Sequence, residues 1–126
     1  MKNLVLVGAG GMMGAVTRYL VGGWISNLTS GRFPYATLAI NVSGSFALGF
    51  FLSLALEKMA WGPSPRLFLA VGFLGAYTTF STFSYETVML MQEGSWFLAS
   101  LNAAGNLFGC LAAAMIGIAT ARAIFG

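Results

Sequence analysis

Polar positions along this chain are few and clustered, and between the clusters run four apolar stretches, at 4–25, 35–56, 67–91 and 96–121. Each reaches the ~20 apolar residues that a helix needs to cross a bilayer. The pattern therefore predicts an all-α membrane protein of four transmembrane helices. The connections "SNLTSGRFP", "EKMAWGPSPR" and "QEGS" are short and carry glycine and proline as breakers. Nothing is left over for a soluble domain, so the expected organisation is a single four-helix transmembrane domain over 1–126, with its function inside the lipid bilayer or at its two faces.

The first stretch is too long for a signal peptide and lacks a charged leader and a cleavage site, so it is expected to stay in the mature protein. Four spans put both termini on one side. That side would hold Lys2, Lys58, Arg66 and Arg122, against Arg32 on the other, or Arg32 and Arg18. By the positive-inside rule this is a weak lean, and it leaves room for insertion in both orientations and for antiparallel pairing of two copies. Trp24, Trp61 and Trp96 fall at span ends, where an amphipathic ring prefers the interface.

Composition agrees with the pattern: 58% of residues are hydrophobic and 7% charged, with a mean hydropathy of +0.83, values foreign to a soluble domain. The net charge of +3 is scattered and forms no patch for nucleic acid. One cysteine, Cys110, permits no intramolecular disulfide. With no histidine and no suitably paired acids, the chain lacks the usual means of general-base or nucleophilic catalysis, and an enzyme is not expected. The opening "LVLVGAGGMMGAVTRYL" imitates a dinucleotide-binding turn. That fold needs an acid about 20 residues on, and none precedes Glu57.

Membrane hydroxyls are cheap, because they bond back to a carbonyl one turn earlier, but Asn and Glu are not so easily satisfied. Thr37, Asn41 and Ser45 are four apart on one face of the second span, and Asn102, Asn106 and Cys110 repeat that spacing in the fourth. Each Asn alone can be an interhelical glue; together they suggest a conduit whose amides and hydroxyls replace an ion's water. In the third span Gly75 and the run Tyr77-Thr78-Thr79 leave two readings open, an unbroken helix or a break that frees carbonyls for a cation. Phe80 and Phe83 share a face and interleave with hydroxyls, and a ring's positive edge can meet an anion. Glu86 divides between a snorkelling carboxylate and a group beside an ion path, and Arg18 between an anchor and an attractor of anions. Small residues four apart, Gly10 and Gly14, Ser45 and Gly49, Gly105 and Gly109, suit helix contacts within one bundle or between subunits.

Three segments, "GAVTRYL", "TLAINVSGSFALGF" and above all "GFLGAYTTFSTFSYET", resemble the small bacterial fluoride channels of the Fluc (CrcB) family, over the whole length of the chain. The resemblance implies a fluoride-selective channel that exports fluoride passively across the bacterial inner membrane, built as an antiparallel dual-topology homodimer with two pores. By motif position it implies that Phe80 and Phe83 form a phenylalanine box, that Asn41 lines the pore, and that Ser81, Thr82 and Glu86 occupy the polar track, with Asn106 on the pore face of the fourth span. It further implies that the main-chain carbonyls of Gly75 and Thr78 hold a structural sodium ion at the dimer interface, and that Arg18 acts at a vestibule. A small four-span proton-coupled drug exporter is the alternative. It would need Glu86 as its proton-exchanging carboxylate.

Overall fold

A computed structural model describes residues 1–57 and 62–126, the side chains of Leu56 and Glu57 excepted. Lys58 and Trp61, assigned above to an interface end and its charge lean, lie outside the described residues. Helix α1 is Lys2–Leu28, α2 is Tyr35–Glu57, and α3 covers 63–77 as Pro63–Pro65, a π-helical stretch Arg66–Leu74 and the turn Gly75–Tyr77. Helix α4 is Phe80–Gln92 and α5 is Trp96–Phe125. No strand occurs among the described residues. Four helical spans, Lys2–Leu28, Tyr35–Ala55, Pro63–Gln92 and Trp96–Phe125, are long and apolar enough to cross a membrane, so this is a multi-pass membrane protein. The first, third and fourth of these spans overrun their apolar stretches at one or both ends.

Large apolar side chains such as Leu4, Phe97, Phe108 and Met115 stand exposed around the outside. In water this would be a liability; facing lipid it is the stable arrangement. Trp24 and Trp96, each 64% exposed, lie near helix ends.

Glycines set the packing. A Cβ at Gly10 would collide with the Phe68 carbonyl, and one at Gly14 with the Phe73 carbonyl, so α1 and α3 touch backbone to backbone. Leu38 borders Gly105, Val42 borders Gly109, and Phe46 and Phe50 border Gly117. Numbers rise together in both sets, so α1 runs parallel to α3, and α2 to α5. The glycine pairs thus serve contacts inside this one chain. Between α4 and α5 the chain turns tightly: Gly94 has φ +77°, and the Ser95 N–H donates to the Leu90 carbonyl at 2.8 Å, a glycine-capped helix end.

Candidate functional site: a clamped helix break and an open cleft

The third span breaks at Thr78 and Thr79, whose backbones are extended (φ −79°, ψ 158° and φ −151°, ψ 113°). Of the two readings open from sequence, the broken helix is the one found. Propensity alone does not account for it. The break is held by a side chain 38 residues away: the Asn41 Oδ1 accepts from the Thr79 N–H at 2.8 Å, while its Nδ2 donates to the Thr79 carbonyl at 3.0 Å. The amide of Asn41 therefore pairs with Thr79 as a neighbouring strand would, satisfying backbone groups that lipid cannot. The Thr79 N–H so engaged is the donor that Gly75 would receive in an unbroken helix.

From Asn41 a line of hydrogen bonds continues. Its Nδ2 also donates to Asn106 Oδ1 at 2.9 Å. Asn106 Nδ2 donates to Asn102 Oδ1 at 3.0 Å and to the Asn102 carbonyl at 3.1 Å. Asn102 Nδ2 donates to Thr87 Oγ1 at 2.9 Å, and Thr87 Oγ1 donates to the Phe83 carbonyl at 2.8 Å. A backbone N–H can only donate, so the Thr79 contact fixes which end of Asn41 is oxygen, and every later donor follows in one direction. All three amides are buried, and Asn102 is fully so, at 0% exposure.

Restarting at Phe80, α4 is capped by Thr79, whose Oγ1 accepts from the Thr82 N–H at 3.2 Å. Phe80 and Phe83 meet edge to face with centroids 5.3 Å apart. Phe80 is 78% exposed. Both rings line a cleft of about 620 Å³ together with Asn41, Thr78, Thr79, Asn106 and Cys110. Thus four residues singled out from sequence, Phe80, Phe83, Asn41 and Asn106, converge on one concavity. Ser81 and Thr82 are exposed beside it: Thr79 Oγ1 donates to Thr82 Oγ1 at 3.0 Å and lies 3.4 Å from Ser81 Oγ.

The remaining candidates lie elsewhere. Glu86 does not line the cleft; its Oε1 accepts from Thr37 Oγ1 at 2.7 Å, and its Oε2 is buried without a hydrogen-bond partner among the described residues. Arg18 sits in the middle of α1, and its Nη1 donates to the Thr78 carbonyl at a long 3.5 Å. Thr78 is itself a break residue, and Gly75 begins the helical turn just before it. Two participants escaped the sequence reading. Thr87 gave no signal, being one more hydroxyl in a hydroxyl-rich run, and the clamp itself needs a contact no local pattern reveals.

A profile of the family described as "CrcB-like protein, Camphor Resistance (CrcB)" matches residues 5–118. Among curated relatives, a protein of Chlorobaculum tepidum named fluoride-specific ion channel FluC is 48% identical over 122 residues, covering 97% of this chain and 96% of its own. Proteins with the same name are 39% identical over 124 residues in Geotalea daltonii, covering 98% and 100%, and 42% identical over 122 residues in Geobacter sulfurreducens, covering 97% and 98%. Spanning nearly its whole length, these matches establish that the chain belongs to the CrcB-like family.

Proposed function

We propose that this protein is a fluoride-selective channel that lets fluoride leave the cell passively across the inner membrane. Relatives named as fluoride-specific channels support the substrate and favour a channel over an enzyme or over the drug exporter that Glu86 suggested. One observation in the structure carries the site: the Phe80 ring, edge to face with Phe83, stands largely exposed on the wall of a mainly apolar cleft into which Asn41, Thr78, Thr79 and Asn106 bring polar groups.

Fluoride holds its water strongly, so a path must replace that shell with donors in series. Ring edges of Phe80 and Phe83 supply positive electrostatic potential. Thr82, whose oxygen accepts from Thr79, keeps its own hydroxyl hydrogen to offer, and Ser81 lies next to it. Asn41 and Asn106 line the cleft, and Glu86, outside it, sits on its Thr37 hydroxyl. Discrimination against chloride comes from a narrow path with fixed donors.

One chain leaves this cleft open on its side, which supports closure by a second copy: an antiparallel, dual-topology homodimer with two pores, each lined by both chains. The break also suits a structural sodium ion at the dimer interface. Asn41 takes the Thr79 N–H, and so deprives the Gly75 carbonyl of its helical donor, while the Thr78 carbonyl receives the long Arg18 contact. Carbonyl oxygens are the ligands a hard monovalent cation takes, and Gly75 and Thr78 would hold it, from each copy in turn. A bound sodium would supply positive charge that locks the two breaks together. Arg18, reaching the same carbonyl, adds positive charge near the path.

The test is fluoride efflux from liposomes that contain only this protein, followed with a fluoride electrode beside a matched chloride control. Fast fluoride release with negligible chloride release is expected. No release from well-folded protein would overturn the proposal.

A further inference from the structure

We propose that Asn102, Asn106 and Thr87 are positioning residues that set the height and phase of the two pore phenylalanines, an inference resting on the channel reading above. The line of hydrogen bonds described for the site begins and ends on the same short piece of helix. At one end Asn41 grips both polar groups of the Thr79 peptide, the residue before Phe80. At the other Thr87 donates to the carbonyl of Phe83 itself. Between them the line crosses to α5 and back through Asn106 and Asn102. The first turn of α4, which bears both rings, is therefore braced at its start and one turn later against α2 and α5.

Asn102 is 0% and Thr87 7% exposed, so neither can meet a passing ion. Whatever they do for permeation, they do through the atoms they hold. The direction of donation reinforces this: both Nδ2 hydrogens of Asn41 are committed, one to the Thr79 carbonyl and one to Asn106. Asn41 thus works here as the head of the brace, and hydroxyls and ring edges are left as the groups that face the anion.

Breaking the line at Thr87 tests it. Thr87→Val keeps the shape and removes the hydroxyl; Thr87→Ser keeps the hydroxyl. Two readouts are taken on purified protein at equal amounts of folded material: hydrogen–deuterium exchange of the 78–83 backbone, and fluoride efflux with its chloride control. The Val variant is expected to exchange faster over 78–83 and to lose about tenfold or more of its fluoride efflux, as an orphaned buried amide donor implies. The Ser variant should match the wild type in both. Exchange in the Val variant as slow as in the wild type, or faster exchange with undiminished efflux, would overturn the brace. If Thr87→Val does not fold, Thr87→Ala removes the same hydroxyl without adding an atom and is read the same way. Wild-type protein that passes no fluoride sinks the channel reading itself, a result distinct from a conducting wild type whose Thr87 variants also conduct.

Discussion

Among individual residues, Phe80 and Phe83 make the sharpest case. A ring at 78% exposure on a cleft wall, set edge to face with a second ring at 5.3 Å, presents an electrostatic pattern that no aliphatic side chain reproduces. Phe80→Ile and Phe83→Ile are each expected to lower fluoride efflux by about tenfold or more, the effect of losing one ring-edge interaction of ~1.5 kcal/mol, while the purified variants keep the wild-type elution profile. Undiminished efflux in both would remove the rings from the path. How far such residues could be read in advance differs from one to the next. Asn41 and Asn106 stood out because amides are costly in lipid, and spacing by four put each on a defined face. The pairings did not, because Asn41 meets Thr79 across 38 positions and Asn106 across 65. Glu86 was readable as a polar group near a span end, but its Thr37 partner lies 49 residues away. Such distances leave no trace in a local pattern.

For the helices, hydropathy sufficed to locate four spans, since the bilayer itself imposes their length, yet it left the third undecided between a continuous and a broken helix. The break is a balance between α-helical continuation and the bonds offered by α2 and by the cap. Thr79→Ala removes the hydroxyl that accepts from the Thr82 N–H but leaves the backbone bonds to Asn41. It should destabilise the protein by about 0.5–2 kcal/mol, the usual cost of a lost cap, with the break retained; chemical unfolding in detergent, compared with Thr79→Ser, measures it. Packing between helices makes a second prediction. Gly14→Val places a branched side chain against the Phe73 backbone and should cost about 1–3 kcal/mol or more. Gly23→Ala, with nothing within 4 Å of the added carbon, should be neutral or stabilising by about 0.4–1 kcal/mol. A shared loss in both variants would mean that α1 packs on α3 differently.

For the whole molecule, the cleft is open on one side, and the charge lean of four basic residues against one or two is slight. If two oppositely inserted copies close each pore, variants with added lysines that force a single orientation should fail to pass fluoride when reconstituted singly. A mixture of inward-locked and outward-locked variants should recover efflux to near the wild-type level. Efflux from either locked variant alone would refute antiparallel pairing. Thr79 is gripped by α2, but Asn41 completes its bonds only on Asn106, and Asn102 and Thr87 find each other only across the Gly94 turn. During synthesis, then, three spans can enter the membrane while amide and hydroxyl groups in them still lack partners, and the fourth span, emerging after them, supplies those partners. Assembly is thus completed by its fourth span, and a chain cut short before Trp96 would leave Asn41 and Thr87 without the partners that Asn106 and Asn102 give them.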